Sequence, residues 1–173
     1  MVKIFQKGDG VLRKKSAEVP VSEIKSPKVR KIIADMKKAL FSQSDGVAIA
    51  APQIGVNERI FVISGRVEAI LADKTYDDKV HQDRVFINPK ISKLSREKKM
   101  MEEGCLSVRW LYGMVKRSQK AAITAFDENA KKIKIGGAGL LAQIFQHEVD
   151  HLEGILFTDK AEDLQEIPPE KNK

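Results

Sequence analysis

One cysteine, one tryptophan, two tyrosines and three histidines stand among 173 residues. A single cysteine, Cys105, excludes any intramolecular disulfide and suits a reducing compartment. There its thiol is free to serve as a ligand, a nucleophile or buried filler. No run approaches the roughly 18 consecutive apolar residues of a membrane-spanning helix. Met1-Val2-Lys3-Ile4-Phe5 lacks the apolar core of a signal or transit peptide. No lipidation signal is visible. The expected address is therefore a reducing cytoplasm, away from membranes. Aromatic residues make up only 6% of the chain, and none interleaves with the lysines as a base-stacking platform requires. The net charge of +7 is spread along the chain in short clusters such as Lys37-Lys38 and Lys131-Lys132. It reads as a solvated basic surface, and no specific nucleic acid is expected as partner. There is no internal repeat and no low-complexity block.

What is present suffices for one domain with a sizeable core, since 42% of the residues are hydrophobic. Ser26-Pro27 has the form of a helix start, and Val29, Ile32, Ile33, Met36 and Leu40 recur at helical spacing. This predicts an amphipathic helix over 27–43. Residues 46–55 are small, apolar and bounded by glycine, as in a buried strand and loop. Arg59–Ser64, Val85–Ile87 (ending at Asn88-Pro89), residues 90–101, Trp110–Val115, Ala121–Phe126 and Lys132–Ile135 read as strands. Asp127-Glu128-Asn129 reads as a hairpin turn, and Gly136-Gly137 as the end of the sheet. Residues 65–83 form an excursion with one or two helical turns, and His81 within it is expected at the surface. A helix over 138–152 stops at Gly154. The charged tail is expected to fray over 165–173.

The chemistry is concentrated in the last helix. Gln146-His147-Glu148-Val149-Asp150-His151 reads H-E-x-D-H. Two histidines four apart share one side of a helix, so both imidazoles reach a single ion. Glu148 follows His147 by about 100° around the axis, off the ligand line and where a general base for water belongs. A catalytic ion takes three protein ligands and leaves one position open. The third is either a glutamate of the tail, as in a zinc endopeptidase, or the Cys105 thiolate. Spacing alone does not choose between them.

Three segments together resemble the peptide deformylase family. They are Gly46-Val47-Ala48-Ile49-Ala50-Ala51-Pro52-Gln53, against G-x-G-x-A-A-x-Q; Glu103-Gly104-Cys105-Leu106-Ser107, matching E-G-C-L-S; and Gln146–His151, matching Q-H-E-x-D-H. They occur in the family's order. The likeness extends to Val11-Leu12-Arg13, Phe86-Ile87-Asn88-Pro89 and His151–Phe157. The resemblance implies an α+β fold, with antiparallel strands packed around a central helix that carries the HExDH motif, in one catalytic domain over 1–173. It implies Cys105, His147 and His151 as metal ligands and Glu148 as general acid/base. Gln53 and the backbone N–H of Leu106 would bind the oxyanion. The implied reaction removes the formyl group from N-formyl-methionyl peptides or nascent chains. It uses one divalent ion, natively ferrous iron, with zinc, nickel or cobalt as substitutes. Gly46, Val47, Ala48 and Gly104 would pair with substrate backbone, and Val47 and Ile144 would wall the methionine pocket. A monomer is expected, and the tail offers little basic surface for a ribosome.

The chain departs from the family pattern at Ala48, where the family has glycine. A methyl group there either narrows the cleft or demands a backbone that alanine dislikes. Residues 65–84 also exceed the corresponding connection of the family's shorter members, as a lid, a partner contact or an insertion would.

Overall fold

The structure, a computed structural model, describes residues 2–169. Among these residues it is an α+β fold of eight strands and three α-helices, with short 3-10 turns between them. β1 (Ala48–Ala50), β2 (Ile60–Ile63), β3 (Arg84–Leu94), β6 (Lys120–Phe126) and β7 (Lys132–Ala138) form an antiparallel five-stranded sheet in the order β1-β2-β3-β6-β7. β4 (Lys98–Gly104), β5 (Leu111–Ser118) and β8 (Glu162–Glu166) form a second sheet in the order β4-β5-β8.

Two helices cover the larger sheet on opposite faces, and this explains why its first strands are apolar throughout. Along β2, Ile60 and Val62 pack with Val29, Ile32, Ile33 and Met36 of α1 (Pro27–Phe41). Phe61 and Ile63 point the other way, onto Ile144, Phe145 and Leu152 of α3 (Leu140–Leu152). β1 and β3 divide in the same manner, Ile49 and Ile87 toward α1, Ala48, Ala50 and Phe86 toward α3. Successive strand residues face opposite sides, so a strand buried on both must be hydrophobic at every position. Phe61 stacks on Phe86 at 4.7 Å, and Phe86 meets Phe145 edge-on at 6.0 Å. Full burial of each such ring contributes roughly 2–3 kcal/mol. No helix among the described residues is long and apolar enough to cross a membrane.

α1 starts as expected, with the Ser26 hydroxyl accepting from the Val29 amide at 3.2 Å and Pro27 in the first turn. α3 ends as expected too. Gly154 adopts φ +75°, and a Cβ there would lie 2.6 Å from the Arg13 carbonyl oxygen. Only glycine fits that turn.

Four expectations need correction. β3 does not end at Asn88-Pro89 but continues to Leu94, so residues 90–94 belong to it and not to a strand over 90–101. A register shift between Ile87 and Lys90 absorbs the proline, which has no N–H to give the ladder. Asn88 takes φ +52° there. Its side chain accepts from the Val19 amide and donates to the Val19 carbonyl, at 2.8 and 2.7 Å. The sheet does not stop before Gly136-Gly137; both glycines pair with β6.

The tail does not fray from 165 onward, because β8 pairs with β5 as far as Glu166. Every β8 residue is exposed, so the strand is held by backbone pairing and leaves no apolar alternation to read. The rest of the expected tail, from 170, lies outside the described residues.

His81 is buried rather than exposed, at 7% of its free surface. Its ring stacks on Tyr76 and its Nδ1 accepts from the Asp77 amide at 3.1 Å. The excursion begins as α2 (Gly65–Leu71). It docks Val67 against the α3 side of the core.

Candidate active site

α3 presents His147, Glu148 and His151 because its opposite surface is committed to the sheet. Ala142, Phe145 and Leu152 bury that surface, while Ile144 shares the face of the site residues and lines the cavity with His147 and Glu148. Gln146 fixes the helix laterally: its amide accepts from Ser118 N at 3.0 Å and donates to Ser118 O at 2.9 Å. Gln143 donates to the Glu102 carbonyl at 2.7 Å, tying α3 to β4. β4 ends at Gly104, and the chain turns at once into Cys105. A Cβ on Gly104 would lie 2.7 Å from the Tyr112 ring of the neighbouring strand. Glycine therefore lets Tyr112 lie across the strand where Cys105 enters.

The ligand atoms of Cys105, His147 and His151 all lie within 4.8 Å of one another. Cys105 Sγ is 3.2 Å from His151 Nε2, and the two imidazole centroids are 5.0 Å apart. One thiolate and two imidazoles at this separation suit a borderline or soft divalent ion. Burial pushes the Cys105 thiol up, but the two imidazoles outweigh it and bring it down to about 5. A thiol poised to ionise below neutrality, facing two imidazoles, is a donor set that fits a metal. The other glutamates offered by an endopeptidase reading are placed elsewhere. Glu153 pairs with Arg59 and Lys15, and Glu162 and Glu166 lie exposed along β8. Glu170 lies outside the described residues.

His147 is oriented from behind. Its Nδ1 lies 2.9 Å from Glu103 Oε2, which leaves Nε2 as the ring nitrogen available to an ion. Glu103 in turn takes two hydrogen bonds from Arg117, at 2.7 and 2.9 Å. Arg117 also donates to Asp150 at 2.6 Å, and Lys160 completes the chain on Asp150 at 2.8 Å. Burial pushes the Glu103 carboxyl up, yet Arg117 and then His147 hold it down at about 2. For His147, burial lowers the affinity for a proton, but Cys105 and Glu103 more than offset it and raise it well above the ordinary value.

Glu148 is 3% exposed. Its Oε2 and His151 Nδ1 are buried without a hydrogen-bond partner among the described residues. Burial chiefly raises the Glu148 carboxyl, with the Cys105 and Glu103 charges adding to it and the two imidazoles opposing; a raised carboxyl takes up a proton more readily, as an acid/base group needs.

Gln53 sits in a 3-10 turn, Ala51–Ile54. Its Oε1 accepts from the Ala50 amide at 2.8 Å, so Nε2 faces the cleft side. Nε2 donates to Ser107 Oγ at 3.1 Å and lies 3.5 Å from Cys105 Sγ. The Leu106 carbonyl is anchored by Gln6 Nε2 at 3.0 Å.

Gln53, Cys105, Leu106, His147 and Glu148 line one cavity of about 280 Å³. Gly46, Val47, Ala48, Gly104 and Ile144 line the same cavity. His151 lies behind it, 1% exposed. Ala48 keeps a negative φ, being absent from the positive-φ positions of the chain, and it pairs with Ile63. The backbone conflict foreseen for alanine does not arise, and its methyl faces the α3 side of the core. No residue of 65–84 lines the cavity, so the excursion is not a lid over it.

Sequence reasoning assigned no part to Arg117, Ser107, Gln6 or Asp150. Glu103 stood inside a motif but without a role. Their partners across the site are 10 to 100 residues away, and no local spacing signals such pairs.

The family described as Polypeptide deformylase matches residues 1–166. Peptide deformylase 2 of Clostridium acetobutylicum is 42% identical over 151 residues, 87% of this chain and 89% of that protein. The chloroplastic peptide deformylase 1A of Solanum lycopersicum is 40% identical over 167 residues, 92% of this chain; the match spans 59% of that longer relative. Among solved structures, a peptide deformylase from Legionella pneumophila superposes with a TM-score of 0.79 at 36% identity, covering 94% of this chain and 87% of that one. One from Synechococcus elongatus in complex with actinonin gives 0.78 at 33%, covering 94% and 79%.

Proposed function

The chain belongs to the polypeptide deformylase family, and on that premise we propose that it removes the N-formyl group from the N-terminal formyl-methionine of newly made polypeptides, releasing formate. One observation carries this reading above all. The Cys105 thiol stands with two imidazoles of a single helix, and Glu148 and Gln53 line the same cavity beside them.

Cys105, His147 and His151 would hold one divalent ion, natively ferrous iron, with zinc, nickel or cobalt as substitutes. When bound, such an ion supplies Lewis acidity, lowering the pKa of water toward about 7 and polarising a carbonyl. The chain's own residues do the rest. Glu148 Oε2 is buried without a hydrogen-bond partner among the described residues, which supports its taking a proton from the attacking water. Water oxygen bonds to the formyl carbon, the carbon–nitrogen bond breaks, and Glu148 returns the proton to the departing amine. Charge develops on the formyl oxygen. Gln53 Nε2 and the Leu106 amide are the donors for it, and one such donor contributes about 3 kcal/mol to the transition state. Gln53 is held for this task by Ala50 N and Ser107 Oγ, so it costs little reorganisation when charge appears.

Substrate lies in extended form along β1 and the end of β4. Both strands are the outermost of their sheets, and both line the cavity. An added strand completes such edges. Val47 and Ile144 wall the methionine side chain. The expected setting is the cytoplasm, with the chain acting as a monomer.

The test is formate release from formyl-Met-Ala-Ser by anaerobically purified protein, with metal assayed on the same sample. Release, with a single ion per chain, supports the reading. No release from fully metallated protein overturns it in favour of a binder that captures N-termini without hydrolysis.

A further inference from the structure

An ion pair at the cleft has no part in the chemistry above. Arg109 stands between β4 and β5, in the turn that follows Cys105; Asp45 stands between α1 and β1, on the opposite wall. Arg109 Nη1 donates to Asp45 Oδ2 at 2.6 Å, and Nη2 donates to Oδ1 at 3.2 Å. Nη2 also donates to Gln43 Oε1 at 2.6 Å, and the guanidinium faces the Trp110 ring at 5.0 Å. A planar fork held at three points has one orientation. Asp45 and Arg109 line the same cavity as Cys105, His147 and Glu148.

The Asp45 wall is secured from outside as well. Arg66 of α2 donates to the Gln43 carbonyl at 2.5 Å and reaches the Phe41 and Gly46 carbonyls at 3.4 and 3.5 Å. The segment from Gln43 to Gly46 is thus gripped by two arginines, one on its carbonyl oxygens and one on its side chains. This gives the 65–84 excursion a mechanical role without bringing it into the cavity.

The two walls are the outer strands of separate sheets, β1 of one and β4 of the other. A peptide lying between them as a strand needs a gap of about two strand spacings, each roughly 4.8 Å. No main-chain ladder joins β1 to β4 among the described residues; Phe5 N to Gln53 O and Lys7 N to Ser107 O bridge the chain just beyond each wall, and the Asp45–Arg109 pair spans the cleft between the walls.

We propose that the Asp45–Arg109 pair is a clasp that sets the gap between β1 and β4 and thereby governs the binding of formylated peptides long enough to lie against both edges. Arg109 is then a positioning residue, acting through the walls. The alternative, direct contact of Arg109 with the peptide, makes an opposite prediction. Removing Asp45 would free the guanidinium and tighten binding, whereas loss of a clasp weakens binding whichever half is removed.

The proposal rests on the deformylase reading and is tested so that the two fail separately. Formate release from formyl-Met and formyl-Met-Ala-Ser is measured for wild type, D45A, R109A, the double variant and the swap D45R/R109D. Affinity for the product Met-Ala-Ser is measured by calorimetry on the same proteins. Each single variant is expected to raise KM for the tripeptide roughly fivefold, as suits a partly exposed bidentate pair. The effect on kcat and on formyl-Met is expected to be smaller. The double variant is no worse than either single, and the swap recovers part of the loss. An unchanged KM in both singles, a lower KM in D45A, or losses that multiply in the double variant would each overturn the clasp. Wild type that releases no formate defeats the deformylase reading alone, and the clasp is then read from the Met-Ala-Ser affinities.

Discussion

Glu103 Oε2 lies 2.9 Å from Nδ1 of His147, so the orientation of one proposed ligand depends on a carboxylate outside the ligand set. Glu103→Gln keeps the shape and removes the charge. Outer partners of ligating histidines affect metal affinity by about 10–100-fold. The variant is expected to fold and to lose affinity in that range, read by competition with a chromogenic chelator. Full affinity would leave Glu103 a role in packing only.

Arg117 and Glu103 are 4% and 2% exposed at their side chains. Arg117→Met leaves the Glu103 carboxylate buried without its main counter-charge, which costs about 3–5 kcal/mol. Chemical denaturation measures this. The double change R117M/E103L, apolar on both sides, is expected to recover much of the stability while still losing metal.

Glu148→Gln and Cys105→Ala separate the two proposed roles. Glu148→Gln is expected to retain the metal while turnover falls by at least about 10²-fold. Cys105→Ala is expected to lose the metal and activity together. A Cys105→Ala protein that keeps full metal content would return weight to a glutamate ligand and a peptidase.

Ala48 lies in a paired strand with its methyl against the α3 side of the core. Ala48→Gly therefore removes packing and adds chain freedom, a cost of roughly 0.5–1 kcal/mol. Melting temperature should fall slightly, and turnover should stay within the same order. A large gain in turnover would mean that the methyl obstructs the cleft.

Asp159 holds a bidentate pair with Arg13, at 2.5 and 3.1 Å, and accepts from the Leu156 amide at 3.0 Å. The Arg13 hydrogen bond chiefly holds its carboxyl below the usual value of 3.8. A depressed folded-state value gives stability that is present above the unfolded value and lost as pH falls through the folded one. The stability difference between wild type and Asp159→Asn should be constant above pH of about 5 and shrink below about 4. A difference that does not vary with pH would leave the pair no part in acid stability.

The amino-acid sequence by itself determined the helices and most strands of the two-sided sheet, the HExDH helix and the residue types around it. Those features are local. Helical and strand periodicities are written in consecutive residues, and Ser26, Pro27 and Gly154 act on their own turns. Three regions escaped it for physical reasons. β8 is stabilised by main-chain pairing and has no apolar face to mark it. β3 runs through Asn88-Pro89 because a register shift supplies what proline lacks. His81 is buried by ring stacking on Tyr76 inside a polar segment.

At the site, periodicity could pair His147 with His151, but spacing alone could not choose Cys105 over a tail glutamate; only the resemblance did so. The tertiary structure brings Cys105 to within 3.2 Å of His151 across 46 residues of sequence, because β4 and α3 close on the same cavity. It also decided that Glu103 and Arg117 are buried together, and that Asp45 meets Arg109 across the cleft. Pairings between charged groups far apart in the chain leave no periodic trace, since each residue alone is an ordinary polar position, and only the packing of the elements that carry them makes them partners.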